Sequence, residues 1–331
     1  MILHACAIAL SAVAAAQPEA AEPRPVEVVR ANAAALRDLA ETDLARAFYD
    51  ASADLPEIHE ERVAYFDRAT RRALNETDAL ALSDDEREPF VRHELGEQFY
   101  YNTFYGTPAA YGRAIDLAGR HGVASAEGLR VFDFGFGGIG HLRMLASDGA
   151  HCVGVEVLEL LDVFYTDDDT GTIANDDGPD GSVELLYGFY PGDEQLAARA
   201  GDGFDVFISK NTLKKGYIHP EREADPRFLV HLGVSDEAYM QAVHDALKPG
   251  GLMIVYNLYG AQNPESERYL PWATGGFPFD RALCERLGFE ALEWDVIDDE
   301  YAREMGARLG WGEQMDLAND LHAMYTVLRK K

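Results

Sequence analysis

Lysine is scarce in this chain. Six lysines occur among 331 residues, as Lys210, Lys214, Lys215, Lys248, Lys330 and Lys331. Cysteine is scarcer, with Cys6, Cys152 and Cys284 alone. There is no CxxC pair and no Cys/His zinc spacing, so neither a zinc site of that kind nor a disulfide framework is expected. No repeat at solenoid or propeller period is present. Beyond the N-terminus no segment has the ~20 continuous apolar residues of a membrane helix, so no membrane span is expected. Positive charge is deficient as a whole: 29 Lys and Arg face 58 Asp and Glu, a formal net charge of −29. A surface of that sign repels phosphate backbones, which argues against a nucleic-acid partner.

Apolar residues make up 47% and charged residues 26%, as in chains that bury a core, which excludes wholesale disorder and collagen-like sequence. The length allows two domains, or one large domain with an added segment. Ile2 to Ala16 is an uncharged, alanine-rich apolar run, and Ala14-Ala15-Ala16 before Gln17 fits a small-residue cleavage site. Residues 1–16 therefore read as a signal peptide, although the segment before the apolar run has no Lys or Arg. A true signal implies an exported protein, periplasmic or secreted, that loses Cys6 on cleavage; otherwise the protein is cytoplasmic.

Residues 17–125 read as a helical N-terminal segment. Val26, Val29, Ala33, Leu36 and Ala40 recur at three- and four-residue steps. A second helix is expected after Pro56. A third is expected after Ser83, where Asp84-Asp85-Glu86 supplies an acidic first turn. Thr107-Pro108 starts a further helix that ends near Gly122. From 126 to 331 the rhythm becomes short apolar runs alternating with helical stretches. Strands are predicted at 130–134, 151–156, 182–187, 204–209, 251–259, 290–297 and 322–329. This alternation predicts a doubly wound, Rossmann-like α/β sheet with helices on both faces.

Val131 to Gly140 is a strand running into a glycine turn, in which Gly135, Gly137 and Gly140 form GxGxxG. Glycine serves where the backbone turns sharply and where a ligand approaches without Cβ interference. The helix that follows offers its N-terminus to a negative group. The next strand ends at Glu156, 21 residues after Gly135, an acid suited to ribose hydroxyls. NAD and S-adenosylmethionine both use such a unit. Asp133, two residues before the first glycine, favours the second, because a carboxylate there can take the amino group of a methionine moiety.

Phe204-Asp205-Val206-Phe207-Ile208-Ser209, and Leu247-Lys248-Pro249-Gly250-Gly251 leading into Leu252-Met253-Ile254-Val255, complete the pattern. From about 128 to 260 the chain resembles the class I S-adenosylmethionine-dependent methyltransferases. The resemblance implies a seven-stranded sheet with a reversed final strand, and S-adenosylmethionine as cofactor. It places Gly135 and Gly137 at the methionine part and Glu156 at the ribose. Ile139 stands where the family often has a third glycine, with Gly140 as its substitute. Phe189 stands where an acid often holds the adenine amino group, and is expected to stack on adenine instead. Pre-sheet segments often cover the cofactor cleft in this superfamily, which makes Tyr105 and Arg113 candidates for the methionine carboxylate.

Methyl transfer is an in-line displacement that needs no metal and no covalent enzyme intermediate, and a base only where the acceptor must lose a proton. Catalytic candidates follow the fourth strand of the sheet: Lys210 and Asn211 at its end, and His219 as a base. No [DN]PP[YFW] motif is present, which disfavours amide and adenine N-methylation. No acid pair follows the strand, so no catalytic metal is expected. The acceptor is a small molecule or a protein, and the alternative is a non-catalytic S-adenosylmethionine- or nucleoside-binding protein of the same fold. Lys210, Lys214 and Lys215 are either solvated surface charges or a positive focus for an anionic acceptor. The acidic loop 167–181 is expected to be a solvated insertion rather than a calcium site. Residues 259–279 are expected to form an acceptor-side lid.

Overall fold

The computed structural model describes residues 22–175, 178–262 and 268–331. The signal peptide read over 1–16 lies outside the described residues, as do parts of the acidic loop and of the expected lid. No helix among the described residues is long and apolar enough to cross a membrane.

Helix Pro25–Arg37 buries Val26, Val29, Ala33 and Leu36, the face that the three- and four-residue spacing marks out. Helices Asp43–Asp50, Glu97–Asn102 and Gly112–Arg120 also belong to the N-terminal segment, but the helix expected after Pro56 is absent among the described residues. After Pro56 the chain forms a three-stranded antiparallel sheet: β1 (Arg62–Asp67), β2 (Arg72–Asn75) and β3 (Val91–Leu95), in the order β2-β1-β3. Ala64, Tyr65 and Phe66 are buried there. Aromatic residues suit a pleated, half-buried surface, and pairing on both edges of β1 decides the outcome. The helix expected after Ser83 is one turn, Asp84–Arg87, closed by a Ser83–Glu86 capping box, and the chain turns at Phe90 into β3. Thr107-Pro108 opens a 3-10 turn that passes into helix Gly112–Arg120 and stops before Gly122 at φ +105°.

The large sheet contains β4 (Arg130–Phe134), β5 (His151–Glu156), β6 (Gly171–Ile173), β7 (Gly181–Tyr187), β8 (Phe204–Lys210), β9 (Leu247–Tyr259), β10 (Phe289–Ile297) and β11 (His322–Lys330). Its order is β10-β11-β9-β8-β4-β5-β7-β6. The seven expected strands are all present. The eighth, β6, is an edge strand antiparallel to β7, formed inside the acidic loop. Strands β4, β5, β7, β8 and β9 run parallel, and β11 runs antiparallel to both β9 and β10. This is a Rossmann-like sheet with a reversed last strand. The chain order changes direction at β4, flanked by β8 and β5, the place where open α/β sheets take ligands beyond their carboxyl ends.

The acidic loop is not wholly solvated. Asp169 is buried and receives Arg62 of β1 at 2.5 and 3.0 Å, while Arg143 donates to its carbonyl at 2.6 Å. Asp169, the last of three consecutive aspartates, thus links the small sheet to the large one. Phe277 and Phe279, within the expected lid, are buried in an apolar cluster with Phe207, Tyr239 and Met253, whereas Trp272 packs edge-on against the half-exposed Phe228.

Candidate functional site

The turn after β4 is glycine-rich because its backbone enters the left-handed region twice, at Gly135 (φ +76°) and Gly137 (φ +62°). Three hydroxyls from outside the turn hold it. Thr103 Oγ1 donates to the Gly137 carbonyl at 2.7 Å, Tyr111 donates to the Phe136 carbonyl at 3.2 Å, and the Ile139 amide donates to the Tyr165 hydroxyl at 3.2 Å. Thr103 itself sits at φ +45°, ψ −130°, an unfavourable conformation for a β-branched residue. A β-carbon on Gly137 would lie 2.7 Å from the Tyr105 ring, so Tyr105 covers the face of the turn that glycine leaves open. Tyr105 is 52% exposed, and Gly106 beside it takes φ +85°.

Glu156 ends β5 next to this turn. Its Oε1 accepts the amides of Val157 at 2.8 Å and Leu158 at 3.3 Å. Burial raises the Glu156 carboxyl above its usual range, and these amides, with that of Gly137, oppose the rise. Arg71, in the β1–β2 hairpin at φ +61°, is near enough for its charge to act on Tyr105 and Glu156. Val157 and Phe189, which follow the ends of the paired strands β5 and β7, are 51% and 54% exposed.

Five buried side chains lie behind the turn. His141 Nε2 is 2.5 Å from Asp133 Oδ2, and Tyr111 stacks on the imidazole with centroids 3.4 Å apart. Burial lowers the His141 pKa, with Asp133 opposing. Asp133 Oδ1 is buried with no hydrogen-bond partner among the described residues. Lys210 Nζ lies 5.0 Å from the centroid of the same Tyr111 ring. Lys214 Nζ donates to the Leu258 carbonyl at 2.6 Å and lies 5.1 Å from the Tyr217 centroid. Burial pulls the two amines down, Lys210 to about 8 and Lys214 to about 7.

No protein-family model matches the chain, and no curated protein matches it. Solved structures do. A phosphoethanolamine N-methyltransferase 2 of Haemonchus contortus, solved with phosphomonomethylethanolamine and S-adenosylhomocysteine, is 12% identical; the match covers 88% of this chain and 76% of that one, with a TM-score of 0.38. An S-adenosylmethionine-dependent methyltransferase of Geobacter sulfurreducens, in complex with S-adenosylhomocysteine, is 18% identical over 62% of this chain and 86% of that one, with a TM-score of 0.32. An arsenic(III) S-adenosylmethionine methyltransferase of Chlamydomonas reinhardtii is 19% identical over 62% and 64%, with a TM-score of 0.34. At these identities and TM-scores the neighbours assign no acceptor and no catalytic residue to this chain.

The structure brings Asp133, Gly135, Gly137, Glu156, Tyr105 and Lys210 together, with Phe189 at the rim. It removes four residues from the roles expected of them. Arg113 is not a ligand for a carboxylate from outside: it pairs with Asp298 at 2.9 Å, Glu41 at 3.0 Å and Asp116 at 3.1 Å, beneath the Tyr301 ring. The open face of Gly140 meets Pro108, 2.8 Å from where a β-carbon would stand, so this glycine serves packing against the N-terminal segment. Asn211 sits at φ +65° and its Oδ1 accepts the Leu258 amide at 2.7 Å, which ties β8 to β9. His219 is a half-exposed surface residue whose Nε2 lies 2.8 Å from Asp236. Lys215, too, is at the surface and pairs with Glu221 at 3.1 Å.

Tyr111, His141 and Arg71 belong to the site and went unread in the sequence. His141 directly follows Gly140, the last glycine of the motif, which is a local signal. Arg71 carries no such signal, because the hairpin that delivers it depends on tertiary pairing.

The residues fit the S-adenosylmethionine that the sequence resemblance implies. The left-handed glycines make a cradle, Asp133 Oδ1 is an orphaned buried acceptor, and Glu156 is fixed by backbone amides. One side chain stands in the way: Tyr105 occupies the approach to Gly137.

Proposed function

We propose that the chain binds S-adenosylmethionine across the carboxyl ends of β4, β5 and β7 and transfers its methyl group to an acceptor entering beside Lys210. The observation that carries this reading is the pairing of the left-handed Gly135–Gly137 turn with Glu156 at the tip of the adjacent parallel strand. The glycine turn and Asp133 Oδ1 would hold the methionine part, Glu156 the ribose hydroxyls, and Val157 and Phe189 the adenine faces. When bound, S-adenosylmethionine supplies a methyl carbon activated by a sulfonium. The protein's part is then largely positioning, which needs no nucleophilic side chain. The carboxylates of Asp133 and Glu156 favour a cationic ligand in a buried site. Tyr105 has to leave Gly137 as the ligand enters.

Calorimetry with S-adenosylhomocysteine tests the reading, with NAD as the control. Glu156→Ala is expected to weaken S-adenosylhomocysteine by about 1–3 kcal/mol, the range for hydrogen bonds to a charged group. A 2′,3′-dideoxy analogue should bind wild type and Glu156→Ala alike, and a persistent difference removes Glu156 from the ribose. The position of Tyr105 over Gly137 favours a second reading, a binding protein without turnover. Methyl transfer from labelled donor into any product would exclude it.

A further inference from the structure

The two lysines beside the glycine turn are buried and form no ion pair among the described residues. Lys210 and Lys214 are 7% and 4% exposed. Ammonium groups are almost never buried unless paired. Among the described residues no carboxylate oxygen lies within 4.0 Å of either Nζ, whereas Lys215 and Lys248 pair with Glu221 and Asp205. Asp133 acts on Lys210 as a negative group, but its Oδ2 is held by His141 and its Oδ1 makes no hydrogen bond to the amine. The ring of Tyr111 faces Lys210, and the Tyr217 ring and one backbone carbonyl face Lys214. The two amines also repel one another, which depresses Lys214 further. In a chain of net charge −29, Asp133 is the one carboxylate among the described residues named as acting on Lys210, and it forms no ion pair with that amine.

The location gives the pair a purpose. Lys210 is the last residue of β8, whose Ile208 pairs with Asp133 of β4, so the amines stand at the carboxyl edge of the sheet beside the glycine turn. A neutral acceptor would leave each amine, when protonated, uncompensated. A cationic acceptor would be repelled by them. An anion satisfies them and also offsets the positive charge of a sulfonium donor nearby.

We propose that Lys210 and Lys214 form a receptor for an anionic group, a carboxylate or a phosphate, carried by the methyl acceptor. This deepens the methyl-transfer reading, since it assigns a chemical class to the acceptor of that reaction.

The chain's six lysines make the test direct. The full-length protein, labelled with carbon-13 in lysine, is titrated with inorganic phosphate, benzoate and the neutral isostere benzamide, and the ε-methylene signals are followed by NMR. Lys210→Met and Lys214→Met assign the two buried signals, and both variants keep an apolar stem in place of the lysine chain. The expected result is a saturable shift of the Lys210 and Lys214 signals with at least one anion, no shift with benzamide, and an affinity about tenfold or more weaker in each Met variant. Whichever anion saturates separates carboxylate from phosphate. Shifts confined to Lys215, Lys248, Lys330 and Lys331, or an equal response to benzamide, would overturn the proposal, and the wild-type titration stands even where a variant does not fold. S-adenosylhomocysteine binding without anion binding refutes this inference alone. Anion binding without S-adenosylhomocysteine binding refutes the methyl-transfer reading and leaves the lysine receptor.

Discussion

His141 Nε2 stands 2.5 Å from Asp133 Oδ2, with both side chains closed off from solvent. One residue ends the strand before the glycine turn and the other starts the helix after it, so their contact ties the two arms of the turn together. Tyr111, stacked on the imidazole, joins the N-terminal segment to the same clamp.

Replacing His141 by Phe keeps the stacking and removes the partner of a buried carboxylate. The expected loss of stability is about 3 kcal/mol, in the range for a buried charge left unpaired. Asp133→Asn, which retains a hydrogen bond to the imidazole, should cost about half as much. Urea denaturation of both variants measures this, and two costs near zero would show that the clamp is not structural.

Arg113 tests the assignment of charge to the interior. Arg113→Met leaves Asp116 and Asp298 without their shared cation, and about 3–5 kcal/mol of stability should go with it. The milder Arg113→Lys should fold and bind S-adenosylhomocysteine as wild type does. A large loss of affinity in folded Arg113→Lys would return this residue to the ligand site.

The buried lysines set a pH dependence of unusual sign. Their folded values, about 8 for Lys210 and about 7 for Lys214, lie below the ordinary lysine value of ~10.4. Between those limits the unfolded chain holds the extra proton, so stability rises with pH and falls as pH drops toward the folded values. Relative to Lys210→Met and Lys214→Met, wild type should gain about 1–3 kcal/mol from pH ~7 to ~9.5, at 1.4 kcal/mol per pKa unit. Denaturation across that window gives the difference, and a flat profile would mean that both amines titrate as exposed lysines do.

Gly137→Ala places a methyl group against Tyr105 and a side chain at φ +62°. The left-handed backbone alone should cost about 1–2 kcal/mol. The contact with Tyr105 adds to that and should disappear in the Tyr105→Ala background, so the two substitutions are expected to be non-additive. Tyr105→Ala by itself should speed association of S-adenosylhomocysteine, as seen by stopped-flow binding, since the approach to Gly137 is then open. An unchanged association rate would show that Tyr105 does not obstruct entry.

Much of the large sheet was legible in the sequence. The apolar runs from Val131 to Leu328 alternate with helices at a period that local patterning exposes, and the Gly135–Gly137 turn and Glu156 are separated by a spacing that one strand–helix–strand unit imposes. The sheet of β1–β3 was not legible, because Arg62–Asp67 becomes a strand only when β2 and β3 pair with it. The edge strand β6 escaped for the same reason: three residues in an acidic loop extend only against β7.

Sequence alone determined which chemistry the carboxyl edge of the sheet offers, because glycine conformations and strand-end acids are properties of contiguous residues. Tertiary structure alone decided which charges are spoken for. Arg113 finds Asp298, 185 residues away, and Arg62 finds Asp169, 107 residues away. Lys210 and Lys214, by contrast, lie in the interior and form no ion pair with an acid among the described residues. Whether a charged side chain is a structural tie or a binding group depends on its neighbours in space and on its distance from water. Neither quantity exists until distant segments of the chain have packed together.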